Sequence, residues 1–507
     1  MPSSSLPASD VATAQAASAP VPNTRNLFFA VFPSIMLPMF LAAIDQTIVS
    51  TALPAIAGQL GDVERVSWVV VSYLVATTIA APVYGRLGDV LGRRRLMVTA
   101  LSVFVIASVF CAIAPSVLAL TAARVLQGLG GGGLMTLSQA LVGQIVPPRE
   151  RGRYQGYLAS VFVCSSTFGP VAGGWLTQHF GWQSVFLINV PLGLAAIAMA
   201  TRLPKPTQSG GRFTFDYIGL GLFACFIAPL LLALEQAQRF DLATMPLAVV
   251  LFAIAVGAMV LLIRQEKRAS LPLLPIGLLR QSAIWRSDAM AACNGATIVS
   301  FVTFIPIYLQ VVRGTDPSRT GLLLLPFTAF IALGALFTGR TIARTGRTAI
   351  VPSITLPFST LFIASLALLA PRLSLLQLPF LFCLISLTSG TAMTVVQTTV
   401  QSLAGPKQLG AGAASVQFSR SIGAAVGTAL VGAVLFGTLF ATDAGTAHLF
   451  GQLVERGPAA LAGIAPERLP AIRAEIADAF RAAFFTIAIF SAGGALLAWS
   501  LPVRRIQ

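Results

Sequence analysis

The chain has 507 residues, 56% of them hydrophobic and only 10% charged, with a formal net charge of +16 and a mean hydropathy of +0.83. Soluble domains carry about 25% charged residues, so the composition excludes an ordinary soluble fold; the long apolar runs favour an all-α polytopic membrane protein over a barrel. The positive charge does not indicate nucleic acid, because most of the 33 Lys and Arg fall on the cytoplasmic side of the expected topology, the asymmetry of the positive-inside rule.

Residues 1–26, rich in Ala, Ser and Pro, read as a disordered cytoplasmic tail without the basic start of a signal peptide. The region 27–201 is predicted to hold six spans, at 27–57, 66–84, 96–114, 116–146, 154–178 and 182–201. The linker region 202–282 begins with the hydrophilic stretch Arg202 to Arg212 and carries two further spans, at 216–234 and 245–264. The region 283–507 is predicted to hold six more, at 283–311, 320–343, 348–369, 375–403, 411–440 and 480–501. Between the last two, 441–479 reads as external, with an amphipathic surface helix near 466–480. The expected count is therefore 14 transmembrane helices, and an even count with basic loops inside puts both termini in the cytoplasm.

The loop from Gly85 to Arg95 organises this pattern. Arg86, Arg93, Arg94 and Arg95 hold it on the cytoplasmic side, and its glycines permit a tight turn. A second copy aligns with it without gaps at Gly85/Gly339, Arg86/Arg340, Gly92/Gly346 and Arg93/Arg347. Charge bias alone would not reproduce glycine positions, so the chain reads as two related halves, a mark of secondary transporters. Asp89 in the first copy is placed either to cap a helix end or to pair with a loop arginine such as Arg93, and so to hold a gating state.

Several other signals point away from enzymes. Gly128-x-Gly130-x-x-Gly133 matches a dinucleotide fingerprint only formally, since it lies inside an apolar span with no strand before it. No phosphate-binding G-x-x-x-x-G-K-[ST] occurs, and neither the two histidines nor the five cysteines have metal-ligand spacing. No cofactor and no resident metal are expected.

Five stretches together resemble one family. Gly85 to Arg95 is similar to the signature loop of the major facilitator superfamily. Ile44 to Pro54, Arg124 to Gly131, Gly169-Pro170-Val171-Ala172-Gly173-Gly174, and Trp182 to Gly193 with Asn189 and Pro191 resemble its 14-span drug:H⁺ antiporter branch. The likeness covers nearly the whole chain after the tail, with Val90 where the loop usually carries a basic residue and Ser165 where the span 5 motif often begins with Gly. It implies the major facilitator fold, two six-helix bundles plus two inserted central spans. It also implies that Gly169, Pro170, Gly173 and Gly174 act as the antiporter motif, with the glycines giving span 5 a flat face.

Charges inside hydrocarbon cost at least about 2.5–3.5 kcal/mol each, so few are expected without a function. Asp45 and Arg124 lie roughly 18 Å and 12 Å from the outer ends of spans 1 and 4, at similar depth in antiparallel helices. They are expected to be the proton carrier and its partner, with Asp288 as a second proton or substrate site. Gln46, Gln127, Asn294, Gln310, Gln397, Gln401 and Arg420 are candidates to line a substrate cavity. The expectation is a proton-coupled exporter of drug-like or amphipathic small molecules in a bacterial cell membrane. The alternatives are an exporter dedicated to one natural product, siderophore or metabolite, a proton-driven importer, or a non-transporting sensor or scaffold. The partners expected are substrate, protons and the lipid bilayer, with no nucleic acid; a periplasmic adaptor and an outer-membrane channel are the candidate protein partners.

Overall fold

The computed structural model describes residues 24–61, 65–203, 216–238, 245–269, 276–456 and 468–502. The first helices are α1 (Thr24–Leu60), α2 (Trp68–Leu87), α3 (Arg93–Ala112), α4 (Val117–Ile145), α5 (Pro148–Phe180), the short α6 (Ser184–Leu187) and α7 (Asn189–Ala200). A central pair, α8 (Tyr217–Gln238) and α9 (Met245–Arg268), follows. After the single turn α10 (Ile276–Leu279) come α11 (Ser282–Ile307), α12 (Pro317–Thr345), α13 (Ile350–Leu369), α14 (Gln377–Ser389) and α15 (Thr391–Ala404). The last are α16 (Leu409–Thr442), α17 (Ala444–Arg456) and α18 (Leu469–Trp499). The fold is all-α, as a chain that must satisfy its backbone within lipid requires.

Every expected span falls on a helix or a broken helix. Among the described residues, however, 11 helical stretches are long and apolar enough to cross a membrane. The difference from 14 has local causes. Helices α2 and α3 run together through a π turn at Gly88–Gly92 and count as one stretch of 45 residues. Helix α5, with Ser, Thr, Gln and Gly along its length, falls below that apolarity. Residues Ser184–Ala200, broken at Ile188, make a shorter apolar stretch.

The segment 441–479, expected to be external, differs from expectation in its helices. Residues 469–480 are not a separate surface helix but the first turns of α18, which continues unbroken to Trp499. Helix α17 precedes it, started by Asp443, whose carboxylate accepts from the backbone of Gly445 and Thr446 at 3.1 and 2.9 Å. The Thr446 hydroxyl then donates to Glu475 at 2.7 Å and ties α17 to α18. Residues 457–467 lie outside the described residues.

Small residues decide which helices touch. The glycine run of α4 explains itself by packing. A Cβ at Gly128 would lie 2.7 Å from the Tyr73 carbonyl on α2, and one at Gly130 2.8 Å from the Ala100 carbonyl on α3. Helix α4 therefore packs closely against both α2 and α3, with α1 against α5 beside them. Helices α11–α18 form a corresponding cluster, in which α11 packs on α16 and α13 on α18. The two clusters meet where α16 crosses α2 and α4, and where α12 and α15 cross α5. Helices α8 and α9 lie against one another, and α8 also touches α2 and α16.

Candidate functional site

The structure brings Asp45 and Arg124 into direct contact. Arg124 donates from NH1 to Asp45 Oδ2 at 2.5 Å, with both side chains at most 1% exposed. The other carboxylate oxygen accepts from Gln127 Nε2 and from Asn189 Nδ2, each at 2.9 Å. Gln127 accepts in turn from Arg124 at 2.7 Å and donates to the Ser108 hydroxyl at 2.8 Å. Arg124 Nε donates to the Val69 carbonyl at 3.1 Å, and its guanidinium lies 4.1 Å from the Tyr73 ring centroid. Tyr73 donates to the Ala42 carbonyl at 3.2 Å. This network joins α1, α2, α3, α4 and α7 in a buried core, and it satisfies both charges with good geometry, which a buried ion pair needs to persist.

Local sequence builds it. Arg124 and Gln127 are three apart on α4 and so share a face. The break at Ile188 starts α7 at Asn189, aiming that amide at Asp45. Asn189 belongs to the stretch Trp182 to Gly193, but the sequence assigns no role to it, to Ser108 or to Tyr73. A polar side chain in an apolar span is the one signal that could have found them.

A second constellation closes one end of the bundle. The Asp89 carboxylate pairs with Arg93 at 2.5 Å and also accepts from the backbone amides of Gly410 and Ala411 at 2.9 and 3.0 Å. Those are free amides of the first turn of α16, whose own N-cap position, Gln408, supplies no side-chain cap. Asp89 thus both caps a helix and pairs with a loop arginine, and the helix belongs to the opposite half. Arg93 donates further to Gln144 at 2.6 Å. The backbones meet closely here, since a Cβ at Gly85 would lie 2.5 Å from the Gly410 carbonyl. Gly92 ends the loop with φ of +93°, and its aligned counterpart Gly346 has φ of +66°.

The second loop copy makes the corresponding crossing. A Cβ at Gly339 would come 2.0 Å from the Gly152 carbonyl of α5. Beside it Arg151, which the sequence reading did not single out, donates to the carbonyls of Val146, Gly143 and Gln401 at 3.0, 2.6 and 3.1 Å. Gln401 also donates to the Gln139 carbonyl at 3.2 Å and accepts from Gln155 at 3.5 Å.

The expected cavity residues part company. Gln397 and Gln401 are buried at this crossing, and Gln401 donates to Gln397 at 3.3 Å. Gln127 is buried in the Asp45 network. Asn294, also buried, bonds the Ser389 carbonyl at 3.0 Å, and Gln310 is exposed on a π turn beyond α11. Gln46 and Arg420 are partly exposed. Asp288, 5% exposed, accepts from Ser415 at 3.4 Å through one oxygen. In the span 5 motif, Gly169 and Gly173 press on Thr47 and Ile48 of α1, but Gly174 faces away with nothing within 4 Å, and Pro170 is exposed. The flat face therefore has two glycines, not three. Ser165 fits the same contact, donating to the Val161 and Phe40 carbonyls at 2.9 and 3.3 Å.

Two sequence-related halves of long apolar helices, joined at paired glycine crossings, define a multi-pass membrane protein. Residues 35–428 match the family model of the Major Facilitator Superfamily, and the chain belongs to that superfamily, whose members are transporters rather than enzymes. It is 32% identical over 426 residues to an uncharacterized MFS-type transporter of Mycobacterium tuberculosis, covering 82% of this chain and 60% of that relative's length. It is 30% identical to the multidrug transporter protein MdtP of Bacillus subtilis, over 79% of this chain and 74% of MdtP. Among solved structures the fold resembles the human organic anion transporter MFSD10, with a TM-score of 0.66 at 15% identity over 94% of this chain and 100% of that one.

Proposed function

We propose that the protein is a proton-coupled exporter of drug-like or other amphipathic small molecules, working by alternating access across a cell membrane. The observation that carries the reading is the Asp45–Arg124 pair. A carboxylate held in a buried site by one arginine can exchange that partner for a proton when the helices move, since burial and a nearby cation act on it in opposite directions. Residues 27–201 and 283–507 are the two moving halves, with 202–282 inserted between them and 14 crossings in all. The end closed by Asp89 and Arg151 is the cytoplasmic end, because the basic loops lie there. In this arrangement the protein is sealed inward, and release of both crossings would open it to the cytoplasm.

MdtP, named a multidrug transporter, and the efflux pump FUS6 of Gibberella moniliformis, 29% identical over 63% of this chain, support export. A transporter dedicated to one natural product is the second reading, favoured by the 29% likeness to the MFS-type transporter of an acurin A biosynthesis cluster in Aspergillus aculeatus. Purified protein in liposomes, given a pH gradient and a panel of fluorescent amphiphiles, separates broad export from a single cargo. In the same vesicles Asp45→Asn is expected to lower uphill transport by at least about 100-fold while leaving insertion intact, because the amide keeps the shape without the titration. Uphill transport by Asp45→Asn would move the proton carrier elsewhere, with Asp288 the next candidate.

A further inference from the structure

The charged side chains within the long apolar helices include four, Asp45, Arg124, Asp288 and Arg420, whose surroundings differ. Asp45 and Arg124 neutralise one another and are sealed from solvent. Asp288 is also buried. Arg420 differs from all three. It is partly exposed, no carboxylate lies within 4.0 Å of it among the described residues, and its buried Nε has no hydrogen-bond partner. The contact its guanidinium makes is with the Phe162 ring of α5, 5.2 Å from the centroid, across the boundary between the halves.

The position of Arg420 matters as much as its charge. Helix α16 is buried at every residue from Leu409 to Val416, where it crosses α2, and partly exposed at every residue from Gln417 to Ile422. The sealed part of the crossing therefore ends at Val416. Beyond it Phe418 and Ile422 pack toward α8, whereas Arg420, about 16 Å along α16 from Leu409, reaches Phe162 of α5 at the boundary between the halves. A cation–π contact offsets only part of the cost of a desolvated guanidinium. What completes such a group is a planar oxyanion, which its forked donors bind bidentately.

We propose that Arg420 binds the acidic head of the cargo, and that the protein prefers amphipathic organic anions, carboxylates or sulfonates on an apolar body that packs beside Phe162. The inference rests on reading the space between the halves as the substrate site. It assigns that site a sign: of these four charges, the one at the boundary between the halves with no carboxylate beside it is positive.

The test is equilibrium binding to the full-length protein in phosphatidylcholine nanodiscs, with no gradient imposed. Two probes share a body and differ in head, 1-pyrenebutyrate and 1-pyrenebutylammonium. The wild type should bind the anion at least about tenfold more tightly. Arg420→Gln should bring the two affinities to within about twofold, and Arg420→Lys, which keeps the charge but loses the fork, should retain only part of the preference. Equal or tighter binding of the ammonium by the wild type overturns the proposal, and that measurement needs no variant to fold. An unchanged ratio in folded Arg420→Gln overturns it, and so does an equal loss of both probes, which would make the arginine structural. If a pH gradient moves neither probe in liposomes while Arg420-dependent anion binding persists, proton-driven export fails and anion recognition stands.

Discussion

The two glycine crossings that close the bundle occupy repeat-related positions, yet they are locked by opposite chemistry. At Gly85 and Gly410 a carboxylate, Asp89, accepts from free amides. At Gly339 and Gly152 a guanidinium, Arg151, donates to carbonyls. The repeat position of Asp89 in the second copy is Ala343. The difference follows from where the partner helix begins. Gly410 is the second residue of α16, so its amide has no partner within the helix. Gly152 lies more than one turn inside α5, which starts at Pro148, so the helix already uses its amide. A carboxylate there would find no free backbone amide. The extra turn instead brings Arg151 to the carbonyl end of α4 and to Gln401. Repetition preserved the close approach of backbones, while helix length selected the polar lock.

Crowding the shared element should have the largest effect. Gly339→Leu or Gly85→Leu places a side chain against backbone that cannot give way, at a cost of about 1–3 kcal/mol or more to the closed state. A single cysteine at Ser402, with Cys111, Cys164, Cys225, Cys293 and Cys383 replaced, should then react with an impermeant maleimide about 10–100 times faster in inside-out vesicles. Unchanged reactivity would show that the crossings do not seal this end.

Removing each lock separately should have an intermediate effect. Asp89→Asn keeps the shape but loses the charge facing Arg93 and the two amides, and Arg151→Gln loses its reach to Gln401. Each should shift the closed state by about 2 kcal/mol, or about thirtyfold in Ser402→Cys labelling. The locks share no partner, so the double variant should be additive within about 0.5 kcal/mol. Strong coupling between them would make the two crossings one unit.

The smallest effect is expected from Ala343→Asp, which copies the first lock onto the second crossing. With no free amide to meet, it should change labelling by less than about twofold. A slowing comparable to the effect of Asp89 would refute the argument from helix start.

Much of this arrangement was legible in the chain. The hydrophobic runs located the helices because lipid leaves the backbone no other partner. Depth in antiparallel spans paired Asp45 with Arg124, since an isolated charge in hydrocarbon is too costly to stand alone. The repeat located Gly85 and Gly339, and Asp89 makes both of the contacts its loop position allowed. The sequence did not reveal what each polar face meets. Helical spacing says that Gln397 and Gln401 share a face; only the approach of α5 shows that this face is buried in a crossing rather than open to a cavity. The same holds for Asn189, turned onto Asp45 by a break at Ile188, for Arg151, whose acceptor Gln401 lies 250 residues away, and for Gly174, which faces away from α1. Periodicity records which residues point together along one helix, whereas the identity of the neighbour depends on how helices distant in the chain cross, and that only the tertiary structure decides.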